Sequence, residues 1–283
     1  YSQYDESKHA DLIARHFDTD HTVLEADDVS PEILEKLARQ YDEPVIDSSI
    51  IPTYLVTNQI SQYCKVALGG DGFILKSLHN YMKLNKPIYG MNFGSVGFLM
   101  NDYKLDGLEE RLNNAQLTKL RPLVMKTLNP TGQEIKAIAI NEISIRREKY
   151  QAAKIQIMID NEVRIEELVC DGVILSTAAG STGYNYSASG PIIPLGSNVV
   201  ALTAVSAYSP RHWRGGLLKD NAKIKIINNN PSKRPIVVHA DHIEAKDVIS
   251  VEIEMSEGME IPLLFDNDHK IEERVYKEMF KSH

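Results

Sequence analysis

Cysteine is scarce in this chain of 283 residues: there are two, Cys64 and Cys170, and neither stands in a CxxC or His-rich setting. That excludes a disulfide framework and the commoner zinc patterns, and reads as two buried, inert thiols in a reducing compartment. An excess of positive charge is missing as well. With 31 Lys+Arg against 39 Asp+Glu the formal net charge is −8, so neither nucleic acid nor an anionic membrane would draw the chain electrostatically. No apolar run approaches the roughly 20 residues needed to cross a bilayer. The opening YSQYDESKHADL has neither the charged nor the apolar region of a signal peptide, and it begins with Tyr rather than Met. The expectation is a processed or truncated cytoplasmic chain with no nucleic-acid or membrane partner. Linkers, repeats and low-complexity segments are also missing, so its parts should pack closely.

What is there is ordinary globular composition, 43% hydrophobic and 25% charged, with length enough for a sizeable core. Up to about residue 120 helix and strand patterns alternate. Ser30 and Pro31 open a helix in SPEILEKLARQY, IPTYLVTNQISQY reads as another, and the strand KVAL, the turn GGDG, the helix FILKSLHNYMKL and the strand PIYGMN follow. That rhythm predicts an α/β domain with a Rossmann-like parallel sheet. From about residue 121 the runs become short and alternating (EIKAIAINEISIRR, AKIQIMID, GVILST, VVALTAVSAY, AKIKIINN, PIVVHA, DVISVEIEM), which predicts a β-rich second domain. The acidic EIEMSEGMEI reads as a solvated hairpin, and IEERVYKEMF as a final helix packing back on the first domain. The expected division is 1–120, 121–262 and 263–283.

Three clusters carry candidate chemistry. The first is Gly69-Gly70-Asp71-Gly72, between strand and helix: either a ligand-free tight turn, or a place where backbone approaches a phosphate and a helix N-terminus faces it. A carboxylate there would repel phosphate unless it holds a metal, binds a hydroxyl or takes a proton. The second is DGVILSTAAGSTGYNYSASGP, residues 171–191, where small residues allow close approach, hydroxyls can donate or accept, and Tyr184 offers a ring to a base. A plain Ser/Gly-rich loop is the alternative. The third is Asn141-Glu142 within IAINEISI; polar groups in an apolar strand need partners, which could be each other or the hydroxyls of a ribose.

These clusters, with GMNFGSVGFL, RHWRGGLL, ADH and LLFDNDHKIEER, closely resemble the NAD kinase family from about Val66 to the end. The resemblance implies phosphoryl transfer from ATP, accompanied by Mg²⁺, to the adenosine ribose 2′-hydroxyl of NAD. It implies Asp71 as base or orienting group for that hydroxyl, with Gly70 and Gly72 beside it, and Phe98 lining the NAD pocket. Asn141 and Glu142 would hold the nicotinamide-side ribose. Ala179, Thr182, Gly183, Tyr184 and Ser187 would surround the adenine end, and Asp241 and His242 would lie near a ribose. Asp171 matches a position that reaches the NAD of a neighbouring subunit, which implies a homotetramer or homodimer. Gly183 stands where alanine is usual and Ala178 where proline is common, a departure that implies a looser loop.

Residues 1 to about 72 resemble instead a fragment of the asparagine synthetase synthetase domain, through YDESKHADLIARHFDTDHTVLEADD and YDEPVIDSSIIPTYLVTNQISQYCKVALGGDG. That family's ATP loop of the form Ser-Gly-Gly-x-Asp-Ser does not occur in the chain. The whole therefore reads as a chimera, with two alternatives to an active kinase: a catalytically weak NAD- or NADP-binding protein, or an ATP pyrophosphatase fragment. Elsewhere, His239 and His242 in HADH should point to opposite faces of a strand, and Arg211 and Arg214 either bind phosphate or pin a loop.

Overall fold

The computed structural model describes residues 65–84, 86–92, 97–267, 276 and 280. The helices expected before residue 65 lie outside these, as does the helix expected in IEERVYKEMF apart from Tyr276 and Phe280. The chain divides into two compact units, Tyr1–Val66 and Ala67–His283. The described elements belong to the second unit, save the first residues of the first strand.

Seventeen described strands form three sheets. The first is mixed and contains β1 (Lys65–Gly69), β2 (Ile88–Asn92), β3 (Asn101–Asp102), β4 (Gln116–Leu120) and β17 (Ile261–Phe265). Its order is β1-β2-β17-β4, with β3 on β2. The pairs β2–β17 and β2–β3 are parallel, as a Rossmann-like sheet requires, while β4 runs antiparallel to β17. Helix α1 (Asp71–Tyr81) follows β1 and turns Ile74 and Leu78, four residues apart, into the core. Helix α2 (Leu108–Asn113) precedes β4.

The other two sheets are antiparallel. One has β7 (Glu142–Arg147), β10 (Gly172–Ser176), β11 (Val199–Val205), β12 (Gly215–Lys219), β14 (Ile236–Ala240) and β15 (Ile243–Ala245), in the order β12-β11-β10-β7-β14-β15. The other has β5 (Leu123–Leu128), β6 (Glu134–Ala139), β8 (Ala153–Ile159), β9 (Glu162–Cys170), β13 (Ile224–Asn228) and β16 (Ser250–Met255), in the order β6-β5-β16-β13-β8-β9. Strands β5 and β13 bury every second residue, the mark of a sheet with one wet face. Central β10 is buried at all five positions. Met125, Ile157 and Val251 of one sheet share a core cluster with Ile145, Val173 and Leu202 of the other, so the two form a sandwich. A second cluster under the mixed sheet joins Ile74, Leu78, Ile88, Leu263 and Phe265 to Ile140 and Ala179.

Three sequence expectations are corrected here. The acidic stretch before Ile261 is not a hairpin, because β16 and β17 lie in different sheets. Strand β16 is already paired on both edges, to β5 and β13, and the apolar Ile261, Leu263 and Phe265 are buried only by crossing to the mixed sheet. The run EIKAIAINEISIRR is not one strand but two, β6 and β7, broken at Ile140–Asn141 and placed in different sheets. HADH is likewise no continuous strand: β14 stops at Ala240, and Asp241 has φ 49°. The rings of His239 and His242 do part company, one toward Glu244 and the other toward His79.

The crossing strand is fastened at its far end. Arg111 of α2 sets Nε 3.2 Å and a terminal nitrogen 2.5 Å from the two oxygens of Asp266, which also accepts from the Tyr89 hydroxyl. The fully buried Asn101 donates to the carbonyls of Gly90 and Leu264 and accepts from the Asp266 N–H. Removing one partner from such a pair strands the other. Asp266→Ala should therefore cost about 3 kcal/mol, read as a lower urea midpoint. Lys225→Ala, which removes an exposed pair with Glu252, should stay within about 0.5 kcal/mol of the parent.

Candidate active site

The glycine turn leads directly into α1. The Gly70 carbonyl accepts from the N–H groups of Phe73 (3.0 Å) and Ile74 (3.1 Å), so Gly70 is the N-cap and Asp71 occupies the first turn, where the helix dipole favours an anion. The half-buried Asp71 carboxylate accepts from the backbone N–H of Phe98 (3.0 Å) and of Leu99 (3.3 Å). A Cβ built on Gly70 or Gly72 would meet no atom within 4 Å, so packing within the protein does not impose these glycines.

Asn141 and Glu142 lie where β6 gives way to β7. In place of a strand partner, the backbone here meets the carboxylate of Asp241, whose side chain is fully buried. Oδ2 accepts from the Ile140 N–H at 2.7 Å, and Oδ1 accepts from those of Asn141 and Glu142 at 3.1 Å each. The other side of the turn is held by Thr177, whose hydroxyl donates to the Ile140 carbonyl at 2.7 Å and whose N–H donates to the Asn141 carbonyl at 2.9 Å. Gly180 lies so close that an added Cβ would sit 2.4 Å from the Asn141 oxygen, so this glycine is required by contact. Within this frame Asn141 Oδ1 and Glu142 Oε2 are buried without hydrogen-bond partners. They do not satisfy each other. Burial, and secondarily the Asp241 charge, push the Glu142 carboxyl up to about 7.

The loop from Thr177 to Ile193 is wired from inside. Buried Ser181 donates to the Ala178 carbonyl and accepts from the Ile193 N–H, while buried Asn185 donates to the carbonyls of Ser181 and Pro191 and accepts from Thr203. These bonds hold the loop despite Gly183 and Ala178. The expected short helix is a single turn, α3 (Tyr184–Ser187). Tyr184 and Ser187 are exposed, Thr182 is half-buried, Gly183 is exposed, and Ala179 is buried in the cluster that also contains Ile140.

Asp171 stands apart. The register of β7 on β10 sets Glu142 opposite Ser176 and Arg146 opposite Gly172, so Asp171 is at the other end of the strand pair. Its Oδ1 lies 2.5 Å from Arg147 Nε, an ion pair without hydrogen-bond alignment. His242 is exposed, and its ring meets that of His79 edge-on at 4.8 Å. Cys170 is buried, and burial pushes its thiol up to about 12, an inert state. Among the described residues no group of three His, Cys, Asp or Glu side chains could hold a metal ion.

One residue of this constellation escapes sequence reasoning. His79, on α1, places Nε2 2.6 Å from Asp241 Oδ2 across 162 residues of chain. Only its failure to face solvent on an otherwise amphipathic helix could have hinted at it.

Known proteins resemble this chain over most of its length. The ATP-NAD kinase C-terminal domain family matches residues 140–260, and the asparagine synthase family matches residues 1–72. An NAD kinase of Xylella fastidiosa is 50% identical over 214 residues, 76% of this chain and 82% of that protein. One from Caulobacter vibrioides is 49% identical over 217 residues, covering 77% and 84%. Among solved structures, yeast NADH kinase complexed with NADH has a TM-score of 0.69 at 21% identity, over 89% of this chain and 78% of that one. An NAD kinase from Archaeoglobus fulgidus in complex with ATP has a TM-score of 0.62 at 20% identity, over 99% and 96%. At such identities the structural likeness is one of fold.

The raised Glu142 carboxyl has a measurable consequence for stability. Its folded value of about 7 exceeds the 4.5 of an unperturbed glutamate, so its contribution to stability is fully present below about 4.5 and lost as the pH rises through 7. Glutamine keeps the shape and carries no charge. The urea midpoint of Glu142→Gln, relative to the parent, should therefore rise between pH 5 and pH 8; a pH-independent difference would show that the buried carboxyl does not titrate in this range.

Proposed function

Because this chain belongs to the NAD kinase family, we infer that it transfers the terminal phosphoryl group of ATP to the adenosine ribose 2′-hydroxyl of NAD, giving NADP and ADP. The family assignment rests on the half-identical relatives. In the structure, the supporting observation is the pair of buried, unpartnered acceptors Asn141 Oδ1 and Glu142 Oε2. Vicinal hydroxyls of a ribose offer the donors they lack.

Asp71 is the proposed base. The 2′-oxygen attacks the γ-phosphorus as its proton passes to Asp71, and the bond to the β–γ bridging oxygen breaks with its electron pair leaving on ADP. Gly70 and Gly72 leave room beside the head of α1 for the reacting groups. Phe98 lines the NAD pocket, Asn141 and Glu142 hold the nicotinamide-side ribose, and Ala179, Thr182, Gly183, Tyr184 and Ser187 enclose the adenine end. His242 lies near a ribose, and Asp241 acts beneath it. Mg²⁺ arrives with ATP and offsets the charge on its phosphates. Residues 1–120, 121–262 and 263–283 serve in this reading as ATP-side domain, NAD-binding domain and returning segment. The match of residues 1–72 to a second family supports a composite origin for the ATP side. A cytoplasmic homodimer or homotetramer is part of the same proposal, with Asp171 serving the site of a neighbouring subunit.

Asp71→Asn keeps shape and hydrogen bonding but cannot take a proton. Its kcat should fall about 10²- to 10⁴-fold, with little change in the NAD dissociation constant measured by calorimetry. A variant retaining more than about a third of the parental kcat would show Asp71 to be a turn residue only.

The neighbouring-subunit role has its own test. Asp71→Asn and Asp171→Ala should each be slow alone. Unfolded, mixed and refolded together, they should regain activity, because a mixed dimer contains one site with both native carboxylates. No gain on mixing would place Asp171 in its own chain's site, and an Asp171→Ala variant as fast as the parent would place it outside every site.

A further inference from the structure

Helix α1 begins at the proposed base and ends, two turns later, on the support of the NAD-binding turn. Asp71 and His79 are eight residues apart, about 12 Å along the helix axis. At its head, α1 is tied to the backbone of Phe98 and Leu99 through the Asp71 carboxylate. Toward its end, the His79 ring, 8% exposed, donates from Nε2 to the fully buried Asp241 carboxylate at 2.6 Å. Asp241 spends its remaining acceptor capacity on the three N–H groups of Ile140, Asn141 and Glu142. With His79 that makes four donors on two oxygens, about the full complement a carboxylate accepts. Asp241 is therefore committed within the protein and is not available to bind a substrate hydroxyl.

We propose that His79 is a positioning residue which, through Asp241, fixes the distance between the Asp71 carboxylate and the Asn141–Glu142 turn. This rests on the reading of Asp71 as base and Asn141–Glu142 as ribose contacts. The helix is the rigid member, and the His79–Asp241 bond, together with the packing of Ile74 and Leu78 around Ile140, fastens it to the turn. The edge-on contact of the His79 ring with His242 limits how that ring can tilt. Without His79, the turn keeps its three bonds to Asp241 and its clamp from Thr177, so NAD still finds its acceptors. What is lost is the register of α1, and with it the aim of Asp71 at the hydroxyl. A misplacement of about 1 Å at a reacting group can cost about 10²-fold in rate.

The test uses the full chain with His79→Leu, which fills a similar volume without a donor, and His79→Gln, whose amide nitrogen can occupy the place of Nε2. Steady-state NADP formation gives kcat, calorimetry gives NAD affinity, and thermal melting reports the fold. His79→Leu should lower kcat about 10²-fold while the NAD dissociation constant changes by less than about threefold, and His79→Gln should recover most of the rate. Should His79→Leu fail to melt cooperatively, His79→Asn, polar but too short to reach Asp241, takes its place under the same criteria. A merely structural histidine would lower the melting temperature and leave kcat near the parental value, or would give a loss that glutamine does not restore; either result overturns the proposal. Asp71→Asn is the control. If it is slow while the His79 variant is not, the positioning role alone falls; if it is fast, the base assignment falls and this inference with it.

Discussion

The buried carboxylate of Asp241 is the constraint on which the site depends. It follows the last residue of β14, in the left-handed region at φ 49°, a conformation aspartate tolerates better than most side chains. There it accepts three backbone N–H bonds and one from an imidazole. A charge buried this deeply persists only when its acceptor positions are filled, and charge-assisted bonds are among the stronger ones a protein makes. In return it supplies what a strand partner would otherwise give to residues 140–142. The chain can leave one sheet at Ala139 and enter another at Glu142 without leaving N–H groups unpaired between them.

That arrangement fixes Glu142 at a free-energy cost. The Asp241 charge that holds its backbone also opposes ionisation of its side chain, and burial opposes it further. Glu142 Oε2 and Asn141 Oδ1 are buried acceptors without partners, a state proteins generally avoid. The surrounding loop shows the opposite habit. Ser181, Asn185 and Thr203 satisfy one another and the backbone almost completely. An unsatisfied pair beside a nearly satisfied loop is a local exception, and proteins break such rules chiefly at functional sites.

The sequence was legible where the cause of structure is local. Alternation at Leu123–Leu128 and Ile224–Asn228 comes from a sheet with one buried face, and the spacing of Ile74 and Leu78 from a helix with one. Gly-Gly-Asp-Gly marks the passage from β1 into α1, with Gly70 as the N-cap, although packing imposes neither Gly70 nor Gly72. The misreadings share a different cause. Nothing within IAINEISI reveals that a carboxylate about a hundred residues away will split it into two strands. Nothing within EIEMSEGMEI reveals that both edges of β16 are already taken. His79 was hidden for the same reason, since its partner lies 162 residues on. Asn141 and Glu142 stand out by their polarity in an apolar run, but that run is not one strand. They sit at the break between β6 and β7.

The two core clusters explain why the site sits where it does. The sandwich core ends at Ile143 and Leu175, inside the strands that follow and precede the two loops of the site. The core of the mixed sheet begins again with Ile140 and Ala179, in those same loops. Between them runs a narrow polar seam containing Asn141, Glu142, Thr177 and Asp241. Dense apolar cores transmit position faithfully but say nothing about the spacing across a polar gap, where water can compete for every bond. On the proposed reading, with ribose contacts on one side of the seam and Asp71 at the head of α1 on the other, a bond that crosses the seam holds the two in register. Thr177 ties the loops on the sandwich side to each other. Among the described residues the hydrogen bond between His79 and Asp241 reaches from those loops to the helix carrying Asp71, beside the apolar packing of Ile74 and Leu78 in the cluster that holds Ile140 and Ala179.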